Sequence, residues 1–308
     1  MTTATITVWL PDPGWVEAMG GLPGPMTADV WTGGEELPDS AGEVEIVVIP
    51  FGVPGARLAM LGKLPKLRLV QLMSAGAERV IPHVPAGVTL CNARGAHDPA
   101  VAEWIMAVIL AQLRSLPDYA RAQRAGTWAA PSEPLAGQTA LIVGYGSIGA
   151  AVERLLVPFG VRVERVARHP RPGVSGPGDL SVLLPRADIV ILLVPVTPAT
   201  TALADARFLD AMHDHALLVN AARGAIVDTG ALLAELSSGR LRAALDVTDP
   251  EPLPSGHPLW SAPGLLLTPH VAGVSTQTIP RARAIVWDQL ARYAAGQPLR
   301  NVVGERGY

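Results

Sequence analysis

Six residues, Gly144-Tyr145-Gly146-Ser147-Ile148-Gly149, constrain this chain more than any other stretch. They follow the apolar run TALIV (139–143) and precede AAVERLLVPFG (150–160), a helical pattern, so the G-x-G-x-x-G spacing falls on a strand–turn–helix unit. Each glycine has a separate task there. The first permits the tight turn, the second lets the backbone approach a pyrophosphate, and the third lets helix and strand pack closely. The helix N-terminus adds free N–H groups and a partial positive charge for the phosphates. The unit predicts an α/β chain with a doubly wound parallel sheet that binds a dinucleotide.

Two stretches carry the strand-then-helix rhythm of such sheets. The first runs from Ile6 to about Ala96, with Val44–Ile49, Arg68–Met73 and Val88–Asn92 as its strands. The second has six apolar runs: Thr139–Val143, Val161–Val166, Ile189–Val194, Ala216–Asn220, Arg242–Asp246 and Leu265–Thr268. Between the stretches, Pro99–Leu116 is apolar around most of its circumference, the mark of a helix buried between layers, here expected between two domains. A last helix, about Thr278–Ala295, is expected to cross back. The organisation is therefore a discontinuous first domain, 1–98 with 279–308, and a dinucleotide domain, 99–278.

At 308 residues and net charge −3, the chain has room for two cores and no footprint for nucleic acid or an anionic membrane. One cysteine, Cys91, excludes an internal disulfide framework and a multi-cysteine zinc site. No long uncharged apolar run or leader-like N-terminus is present, so a cytoplasmic protein is expected.

The strand after the glycine turn speaks to the choice of cofactor. NAD binding normally places a carboxylate at its end to accept from the ribose 2′-OH. Here that position is Ala167, and Arg168 and Arg171 follow at once. A guanidinium can pair with a 2′-phosphate, which a carboxylate would repel. NADP(H) is expected over NAD(H), with NAD(H) as the alternative.

Three later segments leave the carboxyl ends of expected strands: Asn220-Ala221-Ala222-Arg223-Gly224, Asp246-Val247-Thr248-Asp249-Pro250-Glu251, and Thr268-Pro269-His270-Val271-Ala272-Gly273. Open parallel sheets bind ligands at that edge, and one arginine, one carboxylate and one histidine gathered there form an acid–base site.

Several motifs then match one family in order: KLRLVQLMSAGAE (66–78), VAEW (101–104), GTW (126–128), VGYGSIG (143–149), VPVTPAT (194–200), NAARGAIVD (220–228), ALDVTDPEPLP (244–254) and HPLW…LTPHVAG (257–273). Nearly end to end, the chain resembles the D-isomer-specific 2-hydroxyacid dehydrogenases, which include phosphoglycerate dehydrogenases and glyoxylate/hydroxypyruvate reductases. The resemblance implies a Rossmann dinucleotide domain with a smaller flavodoxin-like substrate domain, a small 2-keto or 2-hydroxy acid substrate, closure of the two domains around it, and a homodimer. It makes His270 the acid/base, Glu251 its carboxylate partner and Arg223 the group that holds the substrate carboxylate. Asp246 falls where contact with the nicotinamide carboxamide is expected. Val194, Pro195, Thr200, Ala221 and Gly273 fall along the cofactor, and Ser74, Ala75 and Gly76 form the turn whose N–H groups cradle the substrate carboxylate. His257 is expected to be structural.

Departures from the family narrow the substrate. Phe51 stands where phosphoglycerate dehydrogenases carry an arginine, and the sequence ends at Tyr308, with no serine-binding domain expected after it. Both count against a phosphorylated substrate and favour glyoxylate, hydroxypyruvate or a larger apolar 2-keto acid. Phe51 is read either as an apolar wall for a substrate side chain or as a packed core aromatic. Formate dehydrogenases, which are related, carry glutamine where Glu251 stands. Arg94 and His97 also depart from the usual pattern, either at the substrate mouth or on the surface. Two other readings stay open: an NAD-linked dehydrogenase working in the oxidising direction, and a dinucleotide-sensing corepressor, for which a proton donor is unnecessary.

Overall fold

Short apolar runs separated by turn residues become parallel strands in two separate sheets. The computed structural model describes residues 5–128 and 132–304. The first sheet contains β1 (Ile6–Leu10), β2 (Met26–Val30), β3 (Val44–Ile49), β4 (Leu69–Leu72) and β5 (Thr89–Cys91), in the order β2-β1-β3-β4-β5. The second contains β6 (Thr139–Val143), β7 (Arg162–Val166), β8 (Ile189–Leu192), β9 (Leu217–Asn220), β10 (Arg242–Leu245) and β11 (Leu265–Leu267), in the order β11-β10-β9-β8-β6-β7. All neighbours run parallel.

Each of the six runs expected in the second sheet contains a strand. Of these, β6, β8 and β9 are buried throughout and read as unbroken apolar runs. The two edge strands, β7 (RVERV) and β11, are only partly buried. Two strands of the first sheet lie outside the three runs read as strands: β1, at the start of the stretch, and β2. The β2 sequence, MTADV, is mixed, and it lies at the sheet edge with only Met26 buried.

The chain divides into two compact units, Met1–His97 with Ser275–Tyr308, and Asp98–Val274. In the first unit, one face of the sheet packs Trp9, Trp31, Val47 and Val70. The other face packs Val8, Leu10, Trp15 and Ile46 with Ala282, Val286 and Leu290. Those last three sit four residues apart on helix Thr278–Ala294, so a single stripe of an otherwise polar helix is buried.

The apolar helix expected between domains is Asp98–Leu113. Its burial is explained inside the second unit. Ile105, Ile109 and Leu113 share a core with Ile142, Ile191, Val219 and Ala244, and the helix lies along helix Ser147–Leu156. Each such side chain removed from water contributes on the order of 1.5–3 kcal/mol. Gln112 adds hydrogen bonds to the carbonyls of Ala243 (2.8 Å) and Gly264 (3.1 Å).

In the second sheet β6 has β7 on one side and β8 on the other, so the winding reverses at β6. That reversal opens a crevice beyond the carboxyl ends of β6 and β8. Sheets of this type usually add a strand outside β7. Here one parallel bridge, Val166 to Ser175, takes its place. Among the described residues no single helix is long and apolar enough to cross a membrane, and no group of three or more His, Cys, Asp or Glu is placed to hold a metal.

Candidate active site

The glycine turn leaves β6 at the crevice. The N–H groups of Gly144 and Tyr145 both donate to the Val166 carbonyl (2.9 Å each), which ties the turn to β7. Gly144 has φ +104, and a Cβ there would lie 2.5–2.7 Å from the backbone of Leu193 and Val194. Only glycine lets the turns after β6 and β8 approach so closely. A Cβ on Gly149 would press on Ile142 and Tyr145 at 3.1–3.2 Å, whereas one on Gly146 would meet nothing within 4 Å. The space over Gly146, in front of the first-turn N–H groups of helix Ser147–Leu156, fits a dinucleotide pyrophosphate. Ser147 and Ile148 open that helix.

Behind the turn stands a charged cluster that the sequence does not announce. Glu153 accepts from Arg165 Nε (2.9 Å) and Nη2, and from the Tyr145 hydroxyl. The Arg165 guanidinium holds the Glu153 carboxyl below the usual carboxylate range, and donation to Glu153 raises the Tyr145 phenol. Arg171 reaches back from the loop after β7 and donates to the Tyr145 carbonyl at 3.0 Å, with its guanidinium 5.7 Å from the Tyr145 ring centroid. That loop is pinned at its ends. Ala167 N–H donates to Ser175 O (3.0 Å), and Arg171 and Val174 exchange backbone hydrogen bonds. Arg168 lies on the same loop, one residue after Ala167.

After β8, Val194 and Pro195 begin a loop closed by Thr200. The Thr200 hydroxyl donates to Pro195 O (2.5 Å) and accepts from Thr197 N–H (2.8 Å). Thr200 therefore shapes this loop through its own backbone.

The loops after β9, β10 and β11 are bound into one body. Asn220, fully buried, accepts from Ala222 N–H (3.0 Å) and donates to Arg223 O (2.9 Å), folding the Ala221–Arg223 turn. A Cβ on Gly224 would lie 2.0 Å from the Thr248 carbonyl, so this turn rests directly on the loop after β10. Arg223 is half-buried, and its Nη1 donates to Ala222 O at 2.7 Å. Asp246, expected at the nicotinamide carboxamide, binds the following loop within the chain. Its carboxylate is 2% exposed and accepts from Thr268 Oγ1 (2.5 Å), Val271 N–H (2.8 Å) and Ala272 N–H (2.8 Å). The loop that carries His270 and Gly273 is thereby fastened to the end of β10.

His270 sits at φ +55, a left-handed conformation that costs a non-glycine residue about 1–3 kcal/mol. Its own N–H donates to Asp246 O (2.7 Å), and this arrangement keeps it there. The ring Nδ1 meets Glu251 Oε1 at 2.5 Å. A carboxylate oxygen accepts, so Nδ1 donates in that bond, and Nε2 is the ring's other nitrogen. Both side chains are accessible, at 47% and 40% exposed. His257, by contrast, accepts from Leu259 N–H (3.2 Å) and caps a short turn.

In the first unit, the turn after β4 spends its carbonyls on the chain. Those of Ser74, Ala75 and Gly76 accept from Ala93 N–H, the Asn92 side chain and the Ser74 hydroxyl (2.9, 2.8 and 3.2 Å). Phe51, at the end of β3, is 44% exposed and meets the His97 ring edge-on at 6.1 Å. Phe51 faces outward and is not a packed core aromatic. Arg94 is exposed, and its carbonyl accepts from Asn301.

Comparison with known proteins agrees with this architecture. A family model of the D-isomer specific 2-hydroxyacid dehydrogenase, NAD binding domain, matches residues 106–272. A glycerate dehydrogenase of Methylorubrum extorquens is 32% identical over 274 residues, 81% of this chain and 86% of its own. A D-isomer specific 2-hydroxyacid dehydrogenase from Xanthobacter autotrophicus, solved with NADPH and MES, is 29% identical and superposes with a TM-score of 0.85 over 99% of each chain. An NADPH-dependent glyoxylate/hydroxypyruvate reductase from Sinorhizobium meliloti, solved with NADP and sulfate, is 26% identical with a TM-score of 0.84, over 99% of this chain and 100% of its own. A glycine turn at the point where the sheet reverses, a histidine held by a carboxylate and these likenesses together make the chain a member of the D-isomer specific 2-hydroxyacid dehydrogenase family, and so an NAD(P)-dependent enzyme.

Proposed function

We propose that the chain reduces a small 2-keto acid to its 2-hydroxy acid with NADPH, with glyoxylate and hydroxypyruvate as the leading substrates. The observation that carries this reading is the hydrogen bond between His270 Nδ1 and Glu251 Oε1. A carboxylate on Nδ1 orients the ring and leaves Nε2 to give its proton to a carbonyl oxygen. Arg223 brings a planar guanidinium, which suits a carboxylate and polarises the neighbouring carbonyl.

Residues 144–149, with Val194, Pro195, Ala221 and Gly273, would hold the dinucleotide, which would supply the hydride when bound. His270 would supply the proton that the carbonyl oxygen takes up as its carbon accepts that hydride.

Three things support NADP(H) over NAD(H). No carboxylate stands at Ala167, two arginines occupy the loop beyond it, and Arg171 is already held at the glycine turn. Two structures that share the fold at 26–29% identity were solved with NADPH or NADP. The test is kcat/KM with each cofactor across glyoxylate, hydroxypyruvate, pyruvate, and branched and aromatic 2-keto acids. Turnover of glyoxylate or hydroxypyruvate with at least about a tenfold preference for NADPH is expected, a difference of about 1.4 kcal/mol. A preference for NADH overturns the cofactor assignment, and failure to reduce any 2-keto acid overturns the whole reading.

A further inference from the structure

The first unit contains a cleft of about 120 Å³ beyond the carboxyl ends of β3 and β4. Its walls are mostly hydrocarbon, from residues such as Phe51, Val53, Leu72 and Met73, and it is also lined by Ser74, Gly76 and Arg79. Two features set the cleft apart from an ordinary surface dent.

The first is the turn. The carbonyls of Ser74, Ala75 and Gly76 are all engaged by the chain, while the N–H groups of Ser74 and Gly76 have no acceptor among the described residues. The second is Arg79. Arg79 is an exposed residue of the cleft lining; its guanidinium has no hydrogen-bond or ion-pair partner among the described residues, and no other charged side chain lines the cleft. Donors lacking acceptors at two places in one apolar cleft describe a receptor for two anionic groups joined by carbon.

We propose that Arg79 forms a subsite for a second carboxylate, so that the cleft accepts a four- or five-carbon 2-keto dicarboxylic acid. The assignment rests on the proposed reduction of 2-keto acids and names a substrate class within it. The arginine absent at position 51 is replaced in effect by one at position 79, offered from the turn after β4. One planar guanidinium pairs with one carboxylate through two parallel N–H donors. A phosphoester dianion calls for more donors than this hydrocarbon-walled cleft offers. Phe51 and its apolar neighbours would contact the methylene carbons between the two acids.

The experiment compares acids of equal carbon number, oxaloacetate with 2-oxobutyrate and 2-oxoglutarate with 2-oxovalerate. Wild type, Arg79→Gln and Arg79→Lys are assayed by NADPH oxidation, and 2-oxoglutarate binding is followed by calorimetry. Glyoxylate is run on wild type alone. In wild type the ratio of kcat/KM, dicarboxylate over neutral acid, is expected to exceed about ten, as one charge-assisted hydrogen-bond pair allows. Arg79→Gln should lower that ratio by about tenfold or more, mainly through KM, and Arg79→Lys should keep part of it.

An unchanged ratio in Arg79→Gln, or better turnover of 3-phosphohydroxypyruvate than of either dicarboxylate, overturns the subsite. If wild type fails even with glyoxylate, the reduction itself is the part that falls. The calorimetric difference between wild type and Arg79→Gln then decides the subsite alone: weaker binding in the variant sustains it and equal binding overturns it.

Discussion

The two sheets share an order through five strands, β2-β1-β3-β4-β5 in one and β7-β6-β8-β9-β10 in the other, yet the loops at their carboxyl ends are built on different plans. Around β9, β10 and β11 the loops are bound to one another by buried side chains. Asn220 folds one turn, Asp246 fastens another, and Gly224 rests on the Thr248 carbonyl. Around β3 and β4, Phe51 stands outward and Arg79 reaches no partner among the described residues. The contrast separates two demands. A proton donor must be held to tenths of an ångström, which takes buried hydrogen bonds. A wall that selects among substrates needs only shape and charge, and exposed side chains supply both.

The hardest test of this contrast is Asp246→Ala. It removes one acceptor group from the Thr268 hydroxyl and from the Val271 and Ala272 N–H groups. Breaking a buried hydrogen-bond network of this kind falls at the upper end of single-substitution effects, so denaturant unfolding should show a loss of about 3–5 kcal/mol. Turnover should fall as well, because His270 loses the anchor of its loop. A loss under about 1 kcal/mol would mean that the loops after β10 and β11 hold together without this carboxylate.

Glu153→Gln comes next, and its effect should depend on pH. Arg165 lowers the Glu153 carboxyl in the folded state, so its stabilisation is fully present above the ordinary carboxylate range and is lost as pH falls through the lowered folded value. The stability gap between wild type and variant should therefore be widest near neutrality and shrink in acid. A gap that grows on acidification contradicts the assignment. With the charge on Glu153 removed and its hold on Arg165 and Tyr145 weakened, KM for the dinucleotide should rise by a larger factor than kcat falls.

The mildest change is Phe51→Ala. An exposed ring leaves no cavity when removed, so stability should move by no more than about 0.5 kcal/mol while selectivity among apolar 2-keto acids changes. A loss of about 2 kcal/mol or more would place Phe51 among structural residues and erase the contrast between the two loop sets.

Much of this was legible in the sequence where signals are local. The strands β6, β8 and β9, buried throughout, read directly as apolar runs, and the glycine spacing marked the turn between β6 and its helix. What escaped depends on residues far apart in the chain. β2 is a half-exposed edge strand with no apolar run to announce it. Asp246 finds its donors 22–26 residues on, and Glu153 meets Arg165 across 12, with no short pattern linking either pair. Arg79 belongs with Phe51 only because β3 and β4 are neighbours in the sheet.

The single bridge at Ser175 has a consequence for how such a protein changes over generations. Residues 168–174 hang from the rim of the sheet between Ala167 and Ser175, and no neighbouring strand depends on them for its ladder. Apart from the buried Val174 and the Arg171 contact to the glycine turn, substitutions there are released from the packing that polices β6 and β8. This strip can therefore be rewritten with less disturbance to the sheet than either of those strands.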